Sequence, residues 1–271
     1  MNKEQLKQLA QNPNHIPGIY NYCDRWCERC GFTARCLNYA MQKKEKNDRK
    51  TADLADEQFW QEIYENLNVA KEMLEEMIEQ QGIELDEQEM EATMRAEEQR
   101  RREAESHELS RTARNYGKMV DSWFKKNRAM FKQREKDLRT EFAIGLGKRE
   151  LIAEARHIVD ATEVIGWYQH QIYVKLMRAL CQFDDDIEME DPIQNDANGS
   201  AKVALIGIDR SIEAWSKLHE LFPEQSDTIL DLLVVLDRLR KGTEQHFPNA
   251  RAFQRPGFDT IAIDKSSATS H

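Results

Sequence analysis

Apolar residues along this chain recur at steps of three and four, the spacing that places them on one face of a helix. The clearest run is Phe59, Trp60, Ile63, Tyr64, Leu67, Ala70, Met73, Leu74, Met77 and Ile78. Asp53 or Asp56 is its expected cap and Gly82 its stop. A second helical stretch starts near Asp86 and runs past Phe124, with only Met90, Met94 and Ala104 as apolar anchors in its first half. Gly145 and Gly147 break the pattern before a third helix, over about residues 149–183. There Leu151, Ile152, Ala155, Ile158, Val159, Ile165, Tyr168, Ile172, Leu176 and Leu180 form a broad stripe that demands burial. A fourth helix is expected over about 201–222 and a fifth over 226–241. The nearly continuous apolar run from Ile229 to Leu236 predicts that the fifth is central.

Alternating runs of β-branched and aromatic residues bounded by turn signals are missing, so the predicted class is all-α. The pattern gives a helical bundle of four or five helices, in up-and-down order, with a small cysteine-rich module at its N-terminal side. Residues 1–50 form that module and its linker: a polar lead with one helical turn around Leu6 and Leu9, Pro13 and Pro17 as punctuation, and a basic stretch from Gln42 to Lys50. Residues 51–245 form the bundle, with an acidic loop over 184–200. Residues 246–271 form a tail whose Phe247, Phe253 and Phe258, mixed with Arg251 and Arg255, dock back as a strap.

Composition supports long amphipathic helices: 40% of the 271 residues are apolar, 32% are charged, and the net charge is -10. That balance disfavours a general nucleic-acid binder. Charge is nevertheless segregated: residues 100–139 carry 13 basic against 6 acidic side chains, and residues 53–98 carry 16 acidic against 2 basic. An acidic helix lying on a basic one is the first reading. Phosphate contact through Arg100, Arg101, Arg102, Lys125, Lys126 and Arg128 is the second. No apolar stretch has the length of a signal peptide or a membrane span. The expected setting is cytoplasmic, with no membrane, and with a protein partner or self-association rather than nucleic acid.

Four of the five cysteines fall in YNYCDRWCERCGFTARCLNYA, with the spacing Cys23-x3-Cys27-x2-Cys30-x5-Cys36. Thiolates are soft ligands for zinc or an iron-sulfur cluster, and short gaps let one loop wrap around one centre. Gly31 eases the wrapping, and Arg25, Arg29 and Arg35 are placed to favour ionised thiols. Zinc sites usually draw on two separated Cys-x-x-Cys pieces, so the compact string favours a [4Fe-4S] cluster over zinc. The gaps at Cys23, Cys27 and Cys30 resemble the cluster loop of radical S-adenosylmethionine enzymes. Here, however, Arg29 stands where those enzymes have an aromatic residue, and no barrel strands are predicted. Cys27-x2-Cys30-x5-Cys36 also resembles part of their auxiliary iron-sulfur loops. The block from Ile16 to Ala40 resembles the start of an uncharacterised bacterial family with a YCDRWCERC-type four-cysteine motif, and that resemblance transfers no activity.

Other residues offer chemistry of their own. Glu154 and His157 share the Glu-x-x-His step of di-iron bundles, in a single copy. Glu163 and His170 lie with Asp160 and Trp167 along one side of the third helix. Together with Asp209, Arg210 or Glu213 they form a candidate buried acid-base pocket; the other reading is a solvent face. Arg240 and His246 resemble the Arg-x5-His pair of HEPN ribonucleases, with Gly242 as an interruption. Cys181 is expected in the core. Three classes follow: a metalloprotein with a redox, sensing or structural cluster on a helical interaction platform, an enzyme with a pocket in the bundle, and a zinc-stabilised adaptor using the basic segment 100–139.

Overall fold

A computed structural model describes residues 3–48, 57–82, 86–181 and 191–259. Regular structure among them is helical throughout, and the chain is all-α as predicted. The helices are α1 (Lys3–Ala10), α2 (Leu37–Asp48), α3 (Glu57–Gln81), α4 (Glu87–Ser106), α5 (Glu108–Ala143), α6 (Lys148–Cys181), α7 (Asp196–Leu221) and α8 (Ser226–His246).

These eight helices among the described residues exceed the four or five that periodicity predicts, and the reasons are local. α1 extends the single turn expected around Leu6 and Leu9, and α2 is short and largely polar, in a stretch expected to be a linker. The helix expected to run unbroken from Asp86 divides at His107, whose ring Nδ1 accepts the Leu109 N–H at 3.2 Å and so caps α5. No glycine or proline announces that break. α7 starts five residues before the expected position, because the Asn195 side chain accepts the Asn198 N–H at 2.8 Å. Arg178 also grips Asp196 with two bonds of 2.9 and 2.6 Å. The expected acidic loop therefore ends at 195, and its residues 184–190 lie outside the described ones. α8 passes through Gly242 to His246, where a stop was the expectation. Gly145 and Gly147, at φ +84 and +37, do make the predicted break between α5 and α6.

The chain divides into two compact units, Glu97–Gln254 and Met1–Ala96 with Arg255–His271. The division thus falls well beyond residue 50, and the tail is shared between the units. In the larger unit α5, α6, α7 and α8 pack in sequence, and α8 returns against α5. Neighbours are antiparallel. Arg134 of α5 meets Glu154 near the start of α6, and Ser110 near the start of α5 meets Met177 near the end of α6. Trp123 Nε1 of α5 donates to Thr228 of α8 at 3.0 Å, while Gly242 approaches Leu109 at the opposite end.

α7, rather than the expected α8, is central. Its small residues Ala201, Ala204, Gly207, Ser211 and Ala214 are buried with Leu205, Ile208, Trp215 and Leu218. The run Ile229–Leu236 of α8 encircles its helix, so Leu230 and Val234 stay 45% and 47% exposed. Trp215 Nε1 donates to the Tyr116 hydroxyl at 3.0 Å, and Trp123 meets the Trp215 ring edge-on at 4.9 Å. Phe247 and Phe253 are buried in this unit, as a docked strap requires.

α3 forms over the expected span and Gly82 follows it, but its stripe is not buried: Trp60, Tyr64 and Leu67 are 55%, 63% and 64% exposed. Phe59 side-chain packing lies outside the described residues. α4 balances charge along its own length through Arg95 with Glu91, Arg102 with Glu98 and Arg101 with Glu105. Each pair is solvent-exposed, so its contribution to stability is small. Among the described residues no helix is long and apolar enough to cross a membrane.

Two outcomes test this packing. A Cβ at Gly207 would lie 2.9 Å from Tyr168 Cδ1 and 3.2 Å from Ile172 Cγ1. Gly207→Ala is therefore expected to lower stability by about 1–3 kcal/mol in urea unfolding. Burial pushes the Tyr116 phenol up to about 12, with the Trp215 hydrogen bond opposing. The neutral phenol is favoured in the folded state, so this contribution is intact below the unfolded value of about 10 and is lost as pH rises through the folded one. Alkaline unfolding followed by phenolate absorption is expected to shift to higher pH in Tyr116→Phe.

Candidate metal centre

The cysteine segment lies between α1 and α2 and contains little regular structure beyond two short 3-10 turns, Cys27–Arg29 and Thr33–Arg35. Backbone bonds shape it. The Ile16 N–H donates to the Arg35 carbonyl at 3.0 Å, drawing the two ends of the segment together. Arg25 takes φ +58, the left-handed region that side chains rarely enter, and so reverses the chain between Cys23 and Cys27. Each 3-10 turn then presents its flanking cysteine: the Cys30 N–H donates to the Cys27 carbonyl at 3.2 Å, and the Cys36 N–H to that of Thr33 at 3.3 Å. Cys36 also begins α2, since its carbonyl accepts the Ala40 N–H at 3.0 Å.

All four predicted thiols, those of Cys23, Cys27, Cys30 and Cys36, line one cavity. Its walls are mainly apolar and aromatic, including Ile19, Trp26, Phe32 and Tyr39. Phe258 closes it from the far end of the chain, its ring edge-on to Phe32 at 5.0 Å. Gly257, at φ +78, lies so close that a Cβ there would sit 2.9 Å from Ile16 Cδ1. The sequence reading missed Phe258 as a wall of this cavity, and its only signal was an aromatic residue in a polar tail.

The thiols are unbridged and partly exposed. Burial pushes the Cys27 thiol up, and the neighbouring Cys23, Cys36 and Cys30 sulfurs push it further. Of the three arginines expected near the thiols, Arg25 lines the cavity, whereas Arg29 lies over the Trp26 ring at 4.1 Å and Arg35 donates to the Asn14 carbonyl at 3.4 Å. The Phe32 N–H donates to Cys30 Sγ at 3.4 Å. The Cys23 thiol donates to the Tyr20 carbonyl at 3.5 Å.

Two observations bear on what the donor set fits, and they pull apart. A single zinc ion needs its sulfurs about 2.3 Å from one point, and among the described residues no three His, Cys, Asp or Glu side chains stand that way. Thiolates on a cluster each bind a different iron, so they stand further apart around a shared cavity. The cavity volume, however, is about 20 Å³, room for roughly one water molecule. A cluster enters only if the cysteine side chains rotate outward, whereas an ion enters only if they close inward.

Elsewhere the expected residues do not converge. Glu154 is ion-paired with Arg134 through bonds of 2.6 and 2.8 Å, and His157 is exposed, so Glu154 and His157 are not brought together as half of a di-iron site. Glu163 and His170 are exposed on the solvent side of α6, where His170 faces Asp121 at 3.9 Å. Asp209 pairs with Arg251, and Arg210 donates to the Tyr168 hydroxyl. The acid-base pocket expected of these side chains is thus open to solvent. Arg240 bonds Asp237 at 2.6 Å, while His246 meets the His107 ring edge-on, so they form no Arg-x5-His pair. Cys181 is partly exposed rather than a core thiol.

No protein-family model, curated protein or solved structure matches this chain. Local geometry therefore carries the functional reading. The closing segment can be tested directly: Gly257→Ala is expected to press on Ile16 and Ile19 and raise hydrogen exchange across residues 16–36, leaving α5 to α8 unchanged. Unchanged protection in residues 16–36 would mean that the segment does not hold the cysteine loop.

Proposed function

We propose that Cys23, Cys27, Cys30 and Cys36 bind an iron-sulfur cluster of the [4Fe-4S] type. The observation that carries this reading is four thiols lining one cavity in a segment that has almost no core of its own. Ile19 is the one buried apolar side chain among the described residues before Ala104. A segment this poor in burial needs a cross-link to hold one shape, and ligation supplies that stabilisation as it releases each thiol proton to solvent. The aromatic walls limit water around the sulfurs, and the Phe32 N–H to Cys30 Sγ bond is of the kind that tunes cluster potential. The module then serves electron transfer, sensing or anchoring, and the helical unit serves as an interaction platform. A second reading, structural zinc, rests on the small cavity volume.

Anaerobically purified protein is expected to be brown, to hold about four iron and four acid-labile sulfide per chain, and to give an electron paramagnetic resonance signal on reduction. Cys27→Ser and Cys30→Ser are each expected to remove most of the iron. Colourless protein with one zinc per chain would establish the second reading. Metal-free protein, unaltered when all four thiols become serine, would reject both.

A further inference from the structure

A second site stands out in the larger unit, far in sequence from the cysteines. The first turns of α5 and the last turns of α8 flank a groove of about 960 Å³. The groove exists because these helix ends approach closely: Gly242 offers no side chain, and a Cβ there would lie 2.9 Å from Leu109 Cδ2. Leu109, Val235 and Leu239 supply an apolar floor, while Asn115, Thr112 and Gln245 offer hydrogen-bonding side chains.

Its charge is one-sided. Arg111, Arg238 and Lys241 line the groove against a single carboxylate, Glu108. Lys241 is held by Asp237 at 2.7 Å. Arg111 and Arg238 are exposed, and their guanidinium groups have no ion-pair partner among the described residues. Arg134, Arg178 and Arg251 of this unit are ion-paired, whereas Arg128, Arg149 and Arg156, like Arg111 and Arg238, have no ion-pair partner among the described residues; what sets Arg111 and Arg238 apart is that they line the same groove. Two unpaired guanidiniums in one concavity therefore mark a place for an external anion. His107 and His246 stand at the same groove with ring centroids 4.8 Å apart. Because His107 Nδ1 accepts the Leu109 N–H, its neutral ring carries the proton on Nε2, which is a hydrogen-bond donor.

We infer that this groove binds a small phosphate ester with a flat apolar body, of the size of a nucleotide. The guanidiniums and the imidazole donor take the phosphate oxygens, and the body lies on the Leu109, Val235 and Leu239 floor. The volume suits a ligand of that size. The inference does not depend on the metal reading, since no cysteine takes part.

Isothermal titration calorimetry on the full chain tests it, with adenosine triphosphate, inorganic pyrophosphate and adenosine as probes. Saturable binding of the triphosphate is expected, at least tenfold tighter than pyrophosphate, with adenosine weaker than both. Arg111→Ala with Arg238→Ala is expected to weaken the triphosphate at least tenfold. Gln245→Glu, which adds a carboxylate while leaving the packing intact, is expected to do the same. Lys125→Ala with Lys126→Ala, on the exposed side of α5, is expected to have no effect. Circular dichroism confirms that each variant is folded. No saturable binding by the wild-type chain, or equal losses from the Lys125 and Lys126 control, would overturn the site. Pyrophosphate binding as tightly as the triphosphate would overturn the role of the apolar floor.

Discussion

Four sulfur atoms share a small cavity at a place where the chain has almost nothing else to bury. That constraint governs the N-terminal unit. Ile19 is its one fully buried apolar side chain among the described residues, and its 3-10 turns contain no buried residue. Hydrophobic burial at about 25 cal/mol per Å² of apolar surface gives such a loop little with which to offset the entropy of ordering it. The proposed ligation of soft sulfur is a different source of stability, concentrated at one point. The backbone gathers the thiols at that point with a left-handed Arg25, two short turns that each present a cysteine, and a distant aromatic segment laid across the opening.

The larger unit is stabilised in another way. Its core is a continuous apolar mass in which α7 offers small residues to its neighbours, so that Tyr168 and Ile172 of α6 seat against Gly207. Hydrogen bonds inside it run between aromatic donors and hydroxyls, Trp215 to Tyr116 and Trp123 to Thr228, so the large rings are fixed in direction as well as buried.

Much of the architecture was legible in the chain itself. Period-three and period-four spacing located α3, α6, α7 and α8, and Gly145 and Gly147 located the turn between α5 and α6. What escaped was set by side chains whose partners are distant or unusual. A histidine capped α5, an asparagine began α7 inside a stretch that reads as a turn, and α8 continued through Gly242, whose missing side chain leaves room for Leu109. Centrality was misjudged for a related reason: the long apolar run of α8 drew attention, yet close approach favours small residues over greasy ones. At the cysteines, spacing singled out four thiols that do line one cavity. It left hidden the wall contributed by Phe258 and the turning away of Arg29 and Arg35, which depend on tertiary placement.

The central claim concerns the immediate surroundings of a metal, and X-ray absorption at the iron edge of anaerobically isolated protein addresses it most directly. The account predicts iron coordinated by sulfur at the distance of an iron-sulfur bond, with a second shell of iron around each iron. Iron bound through oxygen or nitrogen, or an iron edge too weak to measure beside a zinc edge with sulfur neighbours, would contradict it.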